Sequence, residues 1–342
     1  MLPENKINEI RNWLTRAERP LFLFDKDADG FCSFQLLKRF IGKGESMCVK
    51  TASGLNVDFA EMVIKYKPDI VFIVDVPIMD QEFVDKLNRT IIWIDHHEPV
   101  RINKVHYYNP RSYDKEIYLP VTYLCYKVVK ENIWLATIGC ISDYLIPDYF
   151  EDFKKEFPKL VDIKTKDPGD ILYKTRLGEL IKIINFCLKG KTKDVREFIR
   201  NFNSIETPYE IIDKKTYAGN AIYERFSHIN KYYKNLIEKA LDSYDKKDKI
   251  ILFTYASNDF SFTGELASEL NYRNKKTKLV IVGRENKEDI VFSVRSKDIS
   301  LSKKVREIVG ELGGYTGGHP QAFGGNLKKV LWDSFVMQLG KE

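Results

Sequence analysis

The stretch Ile91-Ile92-Trp93-Ile94-Asp95-His96-His97-Glu98-Pro99 decides how the chain is read. Four apolar residues in a row are typical of a strand buried on both faces. Asp95, His96 and His97 follow at once, at the strand's carboxyl end, where open α/β sheets place their ligands. Carboxylate and imidazole together suit a divalent metal such as manganese, which takes oxygen and nitrogen donors. The plainer alternative is a polar turn after a strand, and the neighbouring sequence has to choose between the two.

Upstream, Ile70 to Val74 is a second apolar run, and it too ends on a carboxylate, Asp75. Before that, Leu21-Phe22-Leu23-Phe24 runs into Asp25-Lys26-Asp27-Ala28-Asp29-Gly30. Met47 to Thr51 reads as a further strand. Helical spacings lie between and before these runs, at Ile7, Ile10, Trp13 and Leu14, then over Phe31–Phe40, Val57–Tyr66 and Met79–Leu87. Strands alternating with helices of this length predict a doubly wound, mainly parallel sheet. Parallel strands put their carboxyl ends on one edge, so Asp25, Asp27, Asp75, Asp95, His96 and His97 should converge there. That many carboxylates repel one another unless cations neutralise them, which is the physical reason to expect metal. Downstream, Asn109-Pro110 closes a short strand, Val121–Lys130 is helical, and the apolar Trp134–Ile141 is closed by Ser142-Asp143. Asp143 is the next candidate ligand.

The 342 residues are enough for more than one domain. We expect an N-terminal α/β domain over 1–150, a helical linker over 151–240 and a smaller C-terminal α/β domain over 241–342. The middle stretch carries helical patterns at Ile181, Ile184, Phe186 and Leu188, then at Val195, Phe198, Ile199 and Phe202, with breakers at Pro158, Pro168-Gly169, Gly190 and Pro208. Net charge is +6, and residues 151–250 hold most of the excess, with 22 lysines and arginines against 17 acids. Such a balance tolerates nucleic acid without requiring it. The richness in Lys, Glu, Ile and Tyr resembles a thermophile's composition. Five scattered cysteines with no C-x-x-C pair give neither a zinc knuckle nor a disulfide framework. No apolar run approaches the ~20 residues that span a bilayer, and the first residues lack the order of a signal peptide. No membrane association and a cytoplasmic location are expected.

From Lys249 the alternation returns, with strands at Ile250–Tyr255, Leu279–Val282 and Ile290–Val294. Helices follow at Gly264–Asn271, capped by Thr263 or an earlier Ser, and at Leu301–Leu312. Then comes Gly313-Gly314-Tyr315-Thr316-Gly317-Gly318-His319-Pro320-Gln321-Ala322-Phe323-Gly324-Gly325, with six glycines in thirteen residues. A loop so stripped of side chains lets backbone N–H groups approach a phosphate or a base, and a flexible turn is the commoner reading of such a run.

Several common nucleotide and metal motifs are absent. Asp25 to Gly30 opens like a calcium loop, but the twelfth position holds Leu36 where a bidentate Glu is required. The first strand–helix junction lacks a dinucleotide fingerprint, and the chain has neither a P-loop nor a G-x-S-x-G elbow. What remains is an ordered set: Asp25-Lys26-Asp27-Ala28-Asp29-Gly30, then Asp75, then Asp95-His96-His97, then Ser142-Asp143. This set resembles the four successive motifs of the DHH phosphoesterase superfamily. Gly317 to Gly325 resembles the signature loop of the DHH-associated C-terminal domain. The resemblance runs from about Leu21 to the end of the chain.

That resemblance implies a site and an activity. Asp25 and Asp27 would each bind one of two metals, and Asp75 would bridge them. His96 and Asp143 would complete the second metal's set, and Asp29 and Asp95 would support the ligands. Asp75, His96 and His97 would be catalytic, with His97 facing the scissile phosphate. The metal would be Mn²⁺, with Mg²⁺ as the alternative. Where relatives acting on small substrates carry a His, four residues before the first Asp, this chain has Leu21; the first metal then has fewer protein ligands. Arg295 resembles the family's phosphate-gripping arginine, and Gly317, Gly318 and His319 would hold the terminal nucleotide. The layout looks most like RecJ-like exonucleases of archaea, which hydrolyse single-stranded DNA or RNA to 5′-mononucleotides, some of them alongside replication or repair proteins. A nanoRNase or bisphosphate-nucleotide phosphatase is the enzymatic alternative. A replication scaffold is the non-enzymatic one, against which stand the intact acids and histidines of all four motifs.

Overall fold

A computed structural model describes residues 1–49, 54–245, 247–257 and 259–340. The chain divides into two compact units, one comprising 1–188 and 192–223, the other 189–191 and 224–342. The segment expected to be a linker over 151–240 is thus shared: its helices up to 223 belong to the first unit, and the remainder to the second.

The first unit is built on β1 (Leu21–Asp25), β2 (Glu45–Val49), β3 (Ile70–Val74), β4 (Thr90–Ile94) and β5 (His106–Tyr108). They form one sheet in the order β2-β1-β3-β4-β5, parallel throughout. The expected strand Met47–Thr51 falls in β2 up to Val49, while Lys50 and Thr51 lie outside the described residues. The helices are α1 (Glu4–Arg16), α2 (Ala28–Ile41), α3 (Val57–Ile64), α4 (Gln81–Leu87), α5 (Val121–Val129) and α6 (Ile133–Ser142). After them come α7 (Phe150–Glu156), α8 (Pro168–Lys174), α9 (Arg176–Cys187), α10 (Thr192–Phe202), α11 (Pro208–Ile212) and the start of α12 (Tyr217–Asp242).

Alternation along the strands covers both faces, as a parallel sheet requires. Leu21, Leu23, Val71, Ile73, Ile91 and Trp93 face Phe59 and Val63 of α3 and Phe83, Val84 and Leu87 of α4. On the opposite face Phe22 and Phe24 meet α2, with Phe24 stacked on Phe34 at 4.7 Å. The strand order matters for function. β1 and β3 lie side by side, β2 is placed outside β1, and β4 outside β3, so the chain leaves this junction in opposite directions. The crevice at such a switch point is where doubly wound sheets bind ligands.

The second unit carries β6 (Ile250–Ala256), α13 (Thr263–Arg273), β7 (Leu279–Glu285), β8 (Asp289–Ser296), α14 (Ile299–Glu311), β9 (Tyr315–Gly318), β10 (Ala322–Lys328) and α15 (Trp332–Leu339). Its sheet runs β6-β7-β8-β10-β9; only β6 and β7 pair in parallel. The expected cap of α13 is not seen. Phe262 occupies the N-cap without a side-chain bond, and the Thr263 hydroxyl instead accepts from Ser293 Oγ at 3.0 Å. The glycine-rich run is also not a loop: most of it forms β9 and β10, a hairpin turning at Pro320-Gln321. Glycine disfavours strands through entropy, but pairing on the flank of β8 overrides that preference. Among the described residues no helix is long and apolar enough to cross a membrane.

Candidate metal centre

Each strand end delivers its acid by a local device. α2 begins at Ala28, and Asp27 caps it, accepting from Gly30 N at 2.9 Å. Gly30 allows this turn to fold back on β1, since a Cβ there would lie 2.7 Å from the Asp25 carbonyl oxygen. Asp75 continues the β3–β4 ladder with its N–H, which donates to Ile94 O at 3.0 Å, but its φ of 61° is left-handed. For a residue with a Cβ that conformation is strained, and strain of this kind collects at functional positions. Asp143 caps the C-terminal end of α6, so its carboxylate arrives from a helix rather than from a strand.

These residues meet. His96 Nε2 lies 3.3 Å from Asp75 Oδ1 and 3.7 Å from Asp143 Oδ2. One ligand atom each from Asp75, His96 and His97 fall within 4.8 Å of one another, and so do those of Asp29, His96 and Asp143. Asp29, expected only to support the ligands, is therefore beside them; Asp25 and Asp27 belong to neither group. Asp29 is fully buried, and its two oxygens accept from Val121 N and Thr122 N at 2.8 Å each. Those are unpaired first-turn donors of α5, so this carboxylate also caps a neighbouring helix.

Asp95 is equally buried and holds His97 from outside both groups. It accepts from His97 Nδ1 at 2.8 Å and from the Tyr107 hydroxyl at 3.2 Å. Asn109 ties this arrangement together, donating to His97 O at 2.9 Å and to the Tyr107 oxygen at 2.8 Å. Asp95 thus fixes the ring of His97 through one of its two nitrogens. On the opposite side the Tyr118 hydroxyl donates to Asp143 Oδ2 at 3.0 Å, and its ring centre lies 5.4 Å from that of His96. The sequence reading missed Tyr107 and Tyr118. Asn109 stood out only as a strand end, and nothing in the spacing marked the two tyrosines.

Electrostatics gives the cluster its character. Burial, then the charge of Asp27, pushes both Asp25 and Asp29 up to about 7. Burial and the surrounding carboxylates drive Asp75 and Asp143 well above the ordinary range. Burial opposes the His97 imidazolium, but its bond to Asp95 and the charges of Asp95, Asp27 and Asp25 outweigh that, and its pKa rises. Asp75 Oδ1 is buried and accepts no hydrogen bond among the described residues. A buried oxygen without a donor, next to an imidazole nitrogen and further carboxylates, is a donor set that fits a hard or borderline divalent cation.

The DHH family's N-terminal domain matches residues 21–162, and the DHHA1 domain matches residues 248–339. The chain belongs to the DHH phosphoesterase superfamily. Among solved structures, RecJ of Thermus thermophilus in complex with Mn²⁺ is similar at 16% identity and a TM-score of 0.68, over 99% of this chain and 54% of that one. This DHH protein therefore spans about half the length of that RecJ. An exonuclease RecJ bound to manganese is similar at 15% identity and 0.63, covering 99% and 94% of the two chains. The DHH domain of a member of the S1p family of ribosomal proteins gives 15% and 0.70, covering 99% and 90%. At these identities the likeness is one of fold. Among curated proteins none matches.

The DHHA1 domain holds the remaining candidates. Arg295 on β8 sits opposite Ala322 of β10, and Ser293 opposite Gly324, which in turn pairs with Gly317. Alternation puts Arg295, Ser293, Gly324 and Gly317 on one face of the sheet. Arg295 Nε donates to Ser268 Oγ at 3.0 Å, and a Cβ on Gly264 would lie 3.8 Å from Arg295 Nη2, so the guanidinium lies over the start of α13. Gly318 has a φ of 121°, and His319 N donates to Ala322 O at 3.0 Å to close the turn.

Proposed function

We propose that this chain is a manganese-dependent exonuclease that hydrolyses single-stranded DNA or RNA to 5′-mononucleotides. Its natural setting would be the processing of strand ends in replication or repair, next to a protein of that machinery. The observation carrying this reading is the convergence of Asp75, His96, His97, Asp29 and Asp143 at the switch point of the sheet. Superfamily membership supports phosphoester chemistry, and the DHHA1 hairpin in the same chain supports a nucleotide-shaped substrate.

Asp29, Asp75, His96 and Asp143 would hold the cations; Asp27, outside both groups but with its charge acting on Asp29, Asp75 and Asp143, would join them, and Asp25 would add negative charge at their side. Bound divalent metal would polarise a phosphoryl oxygen and neutralise charge developing in the transition state. Asp95 holds Nδ1 of His97 and favours its imidazolium, whose Nε2 would be a hydrogen-bond or proton donor to a phosphate oxygen. Arg295 supplies a planar fork for the phosphate of the strand end. Gly317, Gly318 and His319 offer backbone and one imidazole to the terminal nucleotide.

Digestion of 5′- and 3′-labelled single strands, DNA and RNA, with Mn²⁺ and with a chelator, tests the reading. Stepwise release of 5′-mononucleotides should require metal and vanish in Asp75→Ala, with the fold intact by circular dichroism. Full activity in that variant would refute the site. Activity that fades beyond a few nucleotides would replace the exonuclease with an enzyme of short oligonucleotides.

A further inference from the structure

We infer that Arg306, on α14, is a positioning residue that sets the nucleotide-holding turn of the DHHA1 hairpin. This rests on the reading of Gly318 and His319 as substrate-binding. Arg306 Nη2 donates to the carbonyls of both, at 3.1 Å to Gly318 O and 2.9 Å to His319 O. Its guanidinium also lies over the Phe323 ring, 3.9 Å from the centroid. Phe323 is the residue paired with Gly318 across the hairpin. One side chain therefore grips both strands of the turn, two carbonyls on one and a ring on the other.

The grip comes from the face opposite Arg295. Val294 and Phe323 are buried in a core with Val305 and Ile308 of α14, whereas Ser293 and Arg295 contact α13. Arg306 thus leaves the substrate face open and acts through the backbone behind it. A brace is needed there because the turn has little of its own. β9 is an edge strand, and glycines at 317 and 318 leave its last two positions without side chains to pack. Gly318 cannot be filled instead, since its φ of 121° is one that side chains rarely adopt and a Cβ would lie 3.0 Å from the Phe323 Cα. Both bonds leave one nitrogen while the guanidinium plane covers the Phe323 ring, so lysine can keep the bonds but not the planar contact. The cation–ring contact and the two charge-assisted bonds hold His319 at a fixed height, the condition for a bound strand end to meet it without reordering.

The test is steady-state kinetics of Arg306→Ala and Arg306→Lys on a single-stranded oligonucleotide, and on bis(p-nitrophenyl) phosphate, which has no nucleotide to hold. We expect KM for the oligonucleotide to rise about tenfold in the alanine variant and about threefold in the lysine variant, with kcat within about twofold. Hydrolysis of the small diester should stay within about twofold in both. Unchanged oligonucleotide KM in both variants would overturn the inference. So would an equal loss on both substrates, which would mark Arg306 as merely structural. A wild-type protein that hydrolyses the small diester but no oligonucleotide would instead sink the exonuclease reading, and the inference with it.

Discussion

Asp29 meets two demands with one carboxylate. Its oxygens satisfy the first free N–H groups of α5, and one of them stands within 4.8 Å of the ligand atoms of His96 and Asp143. Two backbone donors stabilise the charged form, yet burial and Asp27 still push its pKa to about 7. A cation would relieve that conflict. Asp25 is raised to the same value but stands outside both ligand groups. The two residues are thereby distinguishable by experiment. Asp29→Asn should weaken Mn²⁺ binding by about 10- to 100-fold, and Asp25→Asn by clearly less, measured by manganese titration followed by electron paramagnetic resonance. An equal or larger loss in the Asp25 variant would return the ligand role to that residue.

At the scale of elements, the junction of β1 with α2 governs the site. Gly30 sits where a Cβ would press on Asp25 O, N and C at 2.7, 2.9 and 3.2 Å, all backbone atoms that cannot swing aside. Gly30→Ala should cost about 1–3 kcal/mol in urea unfolding and lower activity by displacing Asp27 and Asp29. A variant with native stability and activity would show that the turn yields freely. The same junction shows what the sequence reveals and what it hides. The runs ending on Asp25, Asp75 and Asp95 announce strands because unbroken apolar residues before an acid leave little other reading. Apolar spacing marks where a helix has a buried face, here from Phe31, but not where it starts. The start at Ala28 places Asp29 in the first turn, buried, with a carboxylate oxygen within 4.8 Å of ligand atoms of His96 and Asp143. Tyr107 reaches Asp95 only once β4 and β5 are in register, and Tyr118 reaches Asp143 from a segment without periodicity. The hairpin was hidden for a different reason: glycine carries no alternation, so β9 and β10 show only in their pairing with β8 and with each other.

For the molecule as a whole, the buried acids tie stability to pH and metal. Asp25 and Asp29 have folded-state values of about 7 against an ordinary 3.8, so the metal-free native state keeps protons that the unfolded chain releases. Their contribution is full below the ordinary carboxylate range and is lost as pH rises through about 7. Metal-free protein should accordingly melt several degrees lower at about pH 8 than at about pH 5.5. Excess Mn²⁺ should raise the melting temperature most at the higher pH, because it binds the deprotonated form. A metal-free melting temperature that climbs with pH over that interval would contradict the charge assignment. The DHHA1 face has a consequence of another kind. Between Arg295 and the turn, Gly317 and Gly324 present only main chain. Bare peptide groups have no alphabet with which to tell adenine from thymine, so an enzyme that holds its substrate there would spell through any text, and its preferences would lie in the sugar and the strand end rather than in the letters.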